Sequence, residues 1–293
     1  MWVILAIISS LCLGIYDIFK KISVKDNDVL SVLFLNTFFG ALLLSPVVVG
    51  NIYDGSFGFD GNVLSHLLIL LKSAIVLSSW IMGYFAVKHL PITLTGPINA
   101  TRPILVLVGA LLIFGERLNL LQTIGILLGF TSLFFISHVG RKEGFSIEHN
   151  RWMWMMFGAT LMGAVSGLYD KYLLRSLRPL EVQAWYSLYQ CIIMGITIAI
   201  LKRSSHSDSA QFHWRWTIPC IAIFLTIADI AYFYALSIDG SMISIVSMIR
   251  RGSVIVSFIY GILILHEKNA KLKLIDLSIL LIALLILILG SHG

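Results

Sequence analysis

Charged residues are scarce in this sequence. Asp, Glu, Lys and Arg together make up 12% of the 293 residues, whereas soluble domains carry about 25%. Hydrophobic residues account for 58%, and the mean hydropathy is +0.92. A soluble protein of this size could not bury so much apolar surface in one core. The composition therefore excludes an ordinary soluble domain and predicts an all-α integral membrane protein, whose solvent is the lipid bilayer.

Cysteine and catalytic motifs are also lacking. Cys12, Cys191 and Cys220 lie inside apolar runs, at a spacing that fits no disulfide framework and no metal site. HEKNA at 266–270 lacks the second His of HExxH, and there is no GxSxG, Gly-rich phosphate loop or paired-Asp motif. The scattered histidines form no ligand cluster. We therefore predict no enzyme activity, no cofactor, no metal site and no ATP-driven step.

The net charge of +6 would suit nucleic acid, but its distribution argues against that partner. Most Lys and Arg residues lie in short loops between apolar runs, as the topology of a membrane protein requires. The bilayer of the cell (inner or plasma) membrane is the predicted partner, and nucleic acid is not.

Ten apolar runs have about the 20 residues that a spanning helix needs. They are 2–22, 29–50, 64–87, 91–115, 119–139, 151–173, 180–202, 215–236, 241–265 and 271–290. The linkers between them are short and rich in Gly, Ser, Asn and charge, which indicates turns outside the hydrocarbon. The first run lacks the positive region of a signal peptide, so we expect it to remain as a helix. The sequence thus predicts ten transmembrane helices.

Lys and Arg are unevenly divided between the loops. Thirteen lie in or beside the odd-numbered loops: Lys20, Lys21, Lys25, Lys88, Arg141, Lys142, Arg151, Lys202, Arg203, Arg215, Lys268, Lys271 and Lys273. Four lie in or beside the even-numbered loops: Arg117, Lys171, Arg175 and Arg178. The positive-inside rule then places the odd loops in the cytoplasm and both tails outside.

The chain contains an internal repeat. GIYD at 14–17 recurs as GLYD at 167–170, and GYFAVKHL at 83–90 resembles AYFYALSI at 231–238. RPILVLVGALLIFGERLN at 102–119 matches SVIVSFIYGILILHEKNA at 253–270, with Glu116 over Glu267. Three echoes in one order indicate a duplication. We predict a first repeat over 1–140, a linker over 141–150 and a second repeat over 151–293.

Each predicted repeat crosses the bilayer five times. Because five is odd, the second copy starts on the opposite side, so the two five-helix repeats must be inverted relative to each other. Inverted repeats are typical of secondary transporters, whose substrate site lies near the midplane between the halves.

The fourth and fifth predicted helices contain the stretch PINATRPILVLVGALLIFGERLNLLQTIGILLGFTSLFFIS. With this stretch and its ten predicted helices in two halves, the chain resembles the EamA-type branch of the drug/metabolite transporter superfamily. The family's repeat has Pro midway along its fourth helix, Glu at the end of that helix and Gly in the fifth. Here these are Pro103, Glu116, Gly125 and Gly129. The second half departs from the pattern, since Val254 stands where Pro would be. The resemblance implies a transporter of small metabolites and, for bacterial members, both tails in the cytoplasm, which conflicts with the Lys and Arg distribution.

Four basic residues, Lys72, Arg102, Arg250 and Arg251, lie within the predicted helices. A charge at a helix centre costs about 2.5–3.5 kcal/mol on insertion scales, so it should face the protein interior or a wet cavity. We predict that the three arginines bind an anionic or zwitterionic substrate, because Arg grips carboxylate bidentately. Alternatively, Arg102 or Arg250 pairs with Asp229 or with freed carbonyls, and Lys72 reaches the interface by snorkelling.

Further binding candidates share helix faces with these charges or with one another. Asn99 lies three residues before Arg102, and Asp229 three before Tyr232. Asp229 either carries a coupling proton or neutralises an Arg. Trp80 and Tyr84 share a face of the third helix, where they either wall a pocket or simply pack.

The repeated GIYD and GLYD motifs place Tyr16 and Asp17 near one membrane face and Tyr169 and Asp170 near the other. We hypothesise that each Tyr and Asp pair belongs to a gate. The alternative for Asp17 is a local ion pair, since Lys follows it at i+3 and i+4. Asp170 has Leu at both of those places.

These observations predict a secondary transporter that moves a small organic metabolite, a carboxylate or an amino-acid-like molecule, by alternating access. Proton coupling is one option for its driving force. A translocator of lipid-linked or phosphorylated metabolites is the alternative within transporters. A non-transporting structural or sensory membrane protein is the alternative of another class, and counterflow in proteoliposomes would separate these hypotheses.

Overall fold

The computed structural model of the chain describes residues 1–55, 58–59, 62–89, 102–140, 151–204, 211–253, 256, 260 and 270–290. Its regular structure is helical, apart from short turns, throughout these ranges. Ten helices are described: α1 Trp2–Val24, α2 Val29–Tyr53, α3 Val63–His89, α4 Arg102–Phe114, α5 Leu120–Gly140, α6 Arg151–Leu173, α7 Pro179–Ser204, α8 Thr217–Ser237, α9 Ile243–Arg250 and α10 Ala270–Gly290. The predicted all-α class is confirmed.

Five of the described helices are long and apolar enough to cross a membrane: α1, α2, α3 over Val63–Gly83, α7 over Pro179–Ile200, and α8. Shorter apolar segments lie in α4, in α5 over Leu120–Ser132 and in α10 over Leu281–Gly290. Several apolar spanning helices therefore agree with a multi-pass membrane protein, while ten crossings stay a prediction.

The distribution of polarity is the reverse of a soluble protein's. Leu112, Leu120 and Leu289 expose more than 60% of their surface on the outside of the bundle. Lys72 and Asp170 are instead buried at 2% and 6% exposure. Apolar side chains outside and ionisable side chains inside are the arrangement that a hydrocarbon solvent favours.

Helices pack mainly across the two halves of the chain. α1 packs along α8 and α3 along α6, while α2 packs against α7 and α5 against α10. Exchanging α1–α5 with α6–α10 turns the α1–α8 pairing into the α3–α6 pairing, and leaves the α2–α7 and α5–α10 pairings unchanged. The pairing pattern therefore has the twofold character that a duplicated fold requires.

Hydrogen bonds fix the two long pairings. Ser9 Oγ of α1 donates to the Ala228 carbonyl of α8 at 2.7 Å, and Ser79 Oγ of α3 donates to the Ala159 carbonyl of α6 at 2.7 Å. Beyond the end of α1, the Asn27 amide bonds both ways with the backbone of His213, at 2.7 and 2.8 Å. Since residues 9 and 27 meet residues 228 and 213, α1 and α8 run antiparallel.

Helix α9 is shorter than the sequence predicts. We expected one helix over 241–265, but α9 ends at Arg250, with Arg251 as its C-cap and a turn at 251–252. The N–H groups of Arg251 and Gly252 bond to carbonyls three residues earlier, at 3.0 and 2.9 Å. Positions 253, 256 and 260 are again helical. Glycine weakens a helix, and a tight turn inside a spanning element often marks a functional hinge.

The bundle has two ends, each marked by the helix connections that lie there. The connection 25–28 between α1 and α2 lies at one end, here called the 25–28 face. The connection 174–178 between α6 and α7 lies at the opposite end, here called the 174–178 face, together with the connection between α8 and α9.

Candidate functional site

A cavity of about 1310 Å³ lies at the centre of the bundle, between the two halves. Side chains from α1, α3, α4, α6, α7, α8 and α9 line it. Segment 26–31 and Lys20 also line the cavity, so it extends toward the 25–28 face. Toward the 174–178 face its lining ends at Asp170 and Ile243.

Most of the predicted site residues line this one cavity. They are Tyr16, Asp17, Trp80, Arg102, Asp170, Asp229, Tyr232, Arg250 and Arg251. Asn99 lies outside the described residues, as does the side chain of Tyr84, although Tyr84 belongs to α3. Tyr169 is absent from the cavity lining, and its hydroxyl donates to the Leu68 carbonyl at 3.2 Å. Ligand binding by any of these residues remains a prediction.

Lys72 and Asp170 form a buried ion pair near the end of the cavity on the 174–178 face. Lys72 Nζ also lies 4.3 Å from the ring centroid of Tyr186 and 4.7 Å from that of Phe233. The hypothesis that Lys72 snorkels is therefore wrong, because a carboxylate and two aromatic faces hold its ammonium inside the protein. A lysine within an apolar run was the signal for such a partner, but the sequence alone does not identify which acid it meets.

Arg250 is held by two groups of α8. Its Nη2 lies 2.8 Å from Asp229 Oδ1, and its guanidinium stacks 4.0 Å from the ring centroid of Tyr232. Of the alternatives for Arg250, the structure shows the pair with Asp229. A planar guanidinium suits both contacts at once, since it can bond in its plane and stack on its face.

Arg102 takes its contact from the backbone of α6. Its Nη2 donates to the Gly163 carbonyl at 2.6 Å. A β-carbon at residue 163 would lie 2.5 Å from Arg102 Cζ, so only glycine leaves room for the guanidinium there. Arg102 therefore has no carboxylate partner among the described side chains.

Arg251 and Asp17 lack salt bridges to the described side chains. Asp17 is exposed to the cavity, and Lys20 lies over the Tyr16 ring at 5.3 Å. The predicted Asp17–Lys20 ion pair is not formed, and the Lys21 side chain lies outside the described residues. Asp17 and Asp170 thus share a motif but differ in environment.

The described charges that line the deep part of the cavity do not balance. Lys20, Asp26 and Asp28 line the open end, so the whole lining holds five cations and five acids. Deeper in, four cations, Lys72, Arg102, Arg250 and Arg251, face three acids, Asp17, Asp170 and Asp229. One positive charge is left over. An anion in this cavity would compensate it and could meet Arg102 and Arg251 without displacing an existing salt bridge.

Polar contacts seal the 174–178 face. Lys171 Nζ donates to the carbonyls of Leu236 and Ser241, at 3.1 and 2.7 Å, and so ties α6 to the connection between α8 and α9. Charge-assisted bonds to carbonyls of that connection hold it in place. Lys171 is a residue that the sequence pattern did not single out.

Glu116 closes the same face from the end of α4. Gly115, with φ of +61°, ends the helix and turns the chain. The Glu116 carboxylate accepts from the N–H groups of Ile243 and Ser244, at 2.6 and 3.3 Å, and from the Ser244 hydroxyl at 2.5 Å. An acid at the start of α9 satisfies unpaired donors and complements the helix dipole.

Glu116→Ala should destabilise the protein by about 1–3 kcal/mol, because it leaves the N-terminus of α9 without its cap. Glu116→Gln should cost less, since one amide oxygen still accepts. Unfolding in urea, followed by circular dichroism in detergent, measures both effects. Equal stability of wild type and Glu116→Ala would contradict this role for the carboxylate.

Comparisons with known proteins agree with this architecture. The model of the EamA-like transporter family matches residues 1–138 and 150–289. A protein of Archaeoglobus fulgidus described as an uncharacterized transporter is 24% identical over 294 residues, which cover 98% of each chain. A solved structure described only as the crystal structure of a protein superposes with a TM-score of 0.71 at 13% identity, covering 99% of this chain and 96% of that one. The last likeness bears on the fold alone.

Proposed function

The chain belongs to the EamA-like transporter family, and we propose that it carries a small organic carboxylate or amino-acid-like metabolite across the cell membrane by alternating access. Its general role as a multi-pass membrane transporter follows from the family. The class of substrate and the mechanism are argued from the central cavity.

Two arginines without a carboxylate partner in the deep part of the cavity are the observation that carries the proposal. Arg102 has only a backbone carbonyl as its described partner, and Arg251 has no described salt bridge. Guanidinium groups in a low-dielectric site attract an anion strongly and hold carboxylate with two parallel bonds. A carboxylate bound between α4 and α9 would also join the two halves of the chain.

The unequal ends of the cavity support alternating access. The cavity reaches the 25–28 face, while the Lys72–Asp170 pair, Lys171 and Glu116 close the 174–178 face. If the repeats are inverted, exchanging their conformations would open the closed end and close the open one. Asp170 would then act in the closed gate and Asp17 in the open one.

The Lys and Arg distribution would place the 25–28 face in the cytoplasm, so the cavity would be open to the cytoplasm. The family resemblance implies the opposite orientation, with both tails inside. A reporter fused to the C-terminus decides between them: activity of a periplasmic reporter supports the orientation from the charge distribution.

A thermal-shift screen tests the substrate class, because a ligand that binds the folded state raises the melting temperature. At fixed sodium chloride, we expect carboxylates or amino acids to stabilise the wild type, and Arg251→Gln to remove most of that shift. Arg178→Gln is the matched control, since the Arg178 side chain is 65% exposed and does not line the central cavity. Stabilisation by organic cations alone would contradict the proposal, and counterflow of the best carboxylate would establish transport.

A further inference from the structure

A second, much smaller cavity lies beside the central one, between α2, α3, α7 and α8. Its volume is about 20 Å³, roughly the space that one water-sized particle needs. Trp80, Tyr186, Leu225 and Asp229 line both cavities, so the small one shares a wall with the central cavity.

The lining of the small cavity is unusually polar for the inside of a membrane protein. Its oxygen-bearing side chains are Asn36, Thr37, Gln183, Ser187, Thr226 and Asp229. All of these except Asp229 expose less than 9% of their surface. Buried polar groups within spanning helices are costly and face a functional element by default.

Two of these side chains have unsatisfied oxygens. Asn36 Oδ1 and Gln183 Oε1 are buried and have no hydrogen-bond donor. Asp229 accepts from Arg250 through Oδ1, and no described donor contacts its other oxygen. Leaving such acceptors buried and unpaired costs about 1–3 kcal/mol each, so a ligand that satisfies them is expected.

The sequence periodicity aims these groups at one point. Gln183, Ser187 and Gln190 lie at i, i+4 and i+7 on α7, and Thr226 and Asp229 lie at i and i+3 on α8, so each set shares a helix face. Gln190 contributes an unpaired amide nitrogen to the same wall. The oxygen atoms that face this cavity therefore come from Asn36, Thr37, Gln183, Ser187, Thr226 and Asp229.

We propose that this cavity is a sodium site, in which a desolvated sodium ion is bound by amide, hydroxyl and carboxylate oxygens of α2, α7 and α8. Hard cations prefer oxygen ligands of this kind. A water molecule would also satisfy the amide oxygens, so stabilisation that depends on sodium is what distinguishes the ion from water. The size of the cavity favours a single small ion over an organic group.

Sharing Asp229 gives the ion a means of coupling to the central cavity. Sodium at Asp229 competes with Arg250 for the carboxylate, and so frees the Arg250 guanidinium toward the central cavity. The anion site then gains a third arginine when sodium is bound. By linkage, sodium and the anion raise each other's affinity by the same factor. This coupling rests on the proposed carboxylate transport, whereas sodium binding itself does not.

Sodium binding is tested without any substrate, by the melting temperature in sodium chloride against choline chloride at equal ionic strength, and by saturable binding of radiolabelled sodium. We expect sodium to stabilise the wild type. Asn36→Ala and Thr226→Val each remove one ligand and should weaken sodium binding about 10- to 100-fold. Thr197→Val is the control, because Thr197 lies on α7 outside both cavities and donates to its own helix at Ile193.

The outcomes separate this inference from the proposed function. No difference between sodium and choline in the wild type overturns the sodium site and favours a bound water. Undiminished sodium binding in both variants, or an equal loss in Thr197→Val, also overturns it. If sodium binds as expected but no carboxylate stabilises the protein, the site stands and the carboxylate proposal fails.

Discussion

Lys72→Met will destabilise the protein by about 3–5 kcal/mol, the cost of leaving one member of a buried ion pair without its partner. Lys72 and Asp170 expose only 2% and 6% of their surface, so water and salt would screen the remaining carboxylate only weakly. The double variant Lys72→Met, Asp170→Asn should recover much of the loss, because no charge then remains buried. Chemical unfolding of the four proteins in detergent gives this double-mutant cycle.

The half-exposed pair Arg178–Glu181, in which the Arg178 side chain is 65% exposed and that of Glu181 only 11%, serves as the control for that cycle. Arg178→Gln should cost less than Lys72→Met, because the Arg178 side chain is 65% exposed and Glu181 still accepts from the Phe59 N–H. Comparable losses from Lys72→Met and Arg178→Gln would mean that the buried Lys72–Asp170 pair contributes no more than a half-exposed pair, contrary to its burial.

The same variants test the gate. If opening the 174–178 face requires the Lys72–Asp170 pair to separate, Asp170→Asn should alter transport beyond its effect on stability. Normal transport by Asp170→Asn at every pH would remove both the gate role and any proton role of this acid.

The sequence predicts the helical class and the charged centre, because composition and apolar run length depend only on local residues. An arginine within an apolar run can also be expected to face a cavity, because a charge at the centre of a spanning helix is costly in lipid. The partners of these charges depend on tertiary contacts. The sequence offers Asp229 and backbone carbonyls as partners, but nothing within one helix indicates that Arg250 takes Asp229 and Arg102 the Gly163 carbonyl.

The two acid motifs illustrate this limit. GIYD and GLYD are nearly identical, yet Asp170 is buried in an ion pair and Asp17 is exposed to the cavity. The difference lies in the partner helices. Aligning 83–90 with 231–238 places Cys220 of α8 at the position of Lys72 in α3. Asp17 therefore meets no equivalent cation, and the asymmetry distinguishes the open end of the cavity from the closed one.

The end of α9 was unpredictable for a related reason. Residues 241–265 are apolar enough to continue as one helix, and Gly252 alone is a weak breaker. The turn at 251–252 lies beside Asp229 and Tyr232, where Arg250 gains its tertiary contacts. Such contacts can outweigh the loss of regular helical hydrogen bonds.

Gly163→Ala should reduce affinity for the carboxylate that best stabilises the wild type by about tenfold or more. The added methyl group would occupy space 2.5 Å from Arg102 Cζ and 2.6 Å from Nη2, so the guanidinium must leave the Gly163 carbonyl. Losing one well-oriented charge-assisted contact costs about 1.5–3 kcal/mol. Stability should change little, because Arg102 is flexible and alanine favours helix.

Gly158→Ala is the matched control on the same helix. Its methyl group would meet Met82 Sδ at an ordinary 3.5 Å, and Gly158 does not line the central cavity. Both variants gain the same helix propensity, so a difference in substrate affinity between them reports the displacement of the Arg102 guanidinium. Thermal-shift titration and counterflow should show normal binding and transport in Gly158→Ala and a clear loss in Gly163→Ala. Equal substrate affinity in the two variants would mean that Arg102 does not contact the transported anion, and the anion would then have to be held by α9 alone.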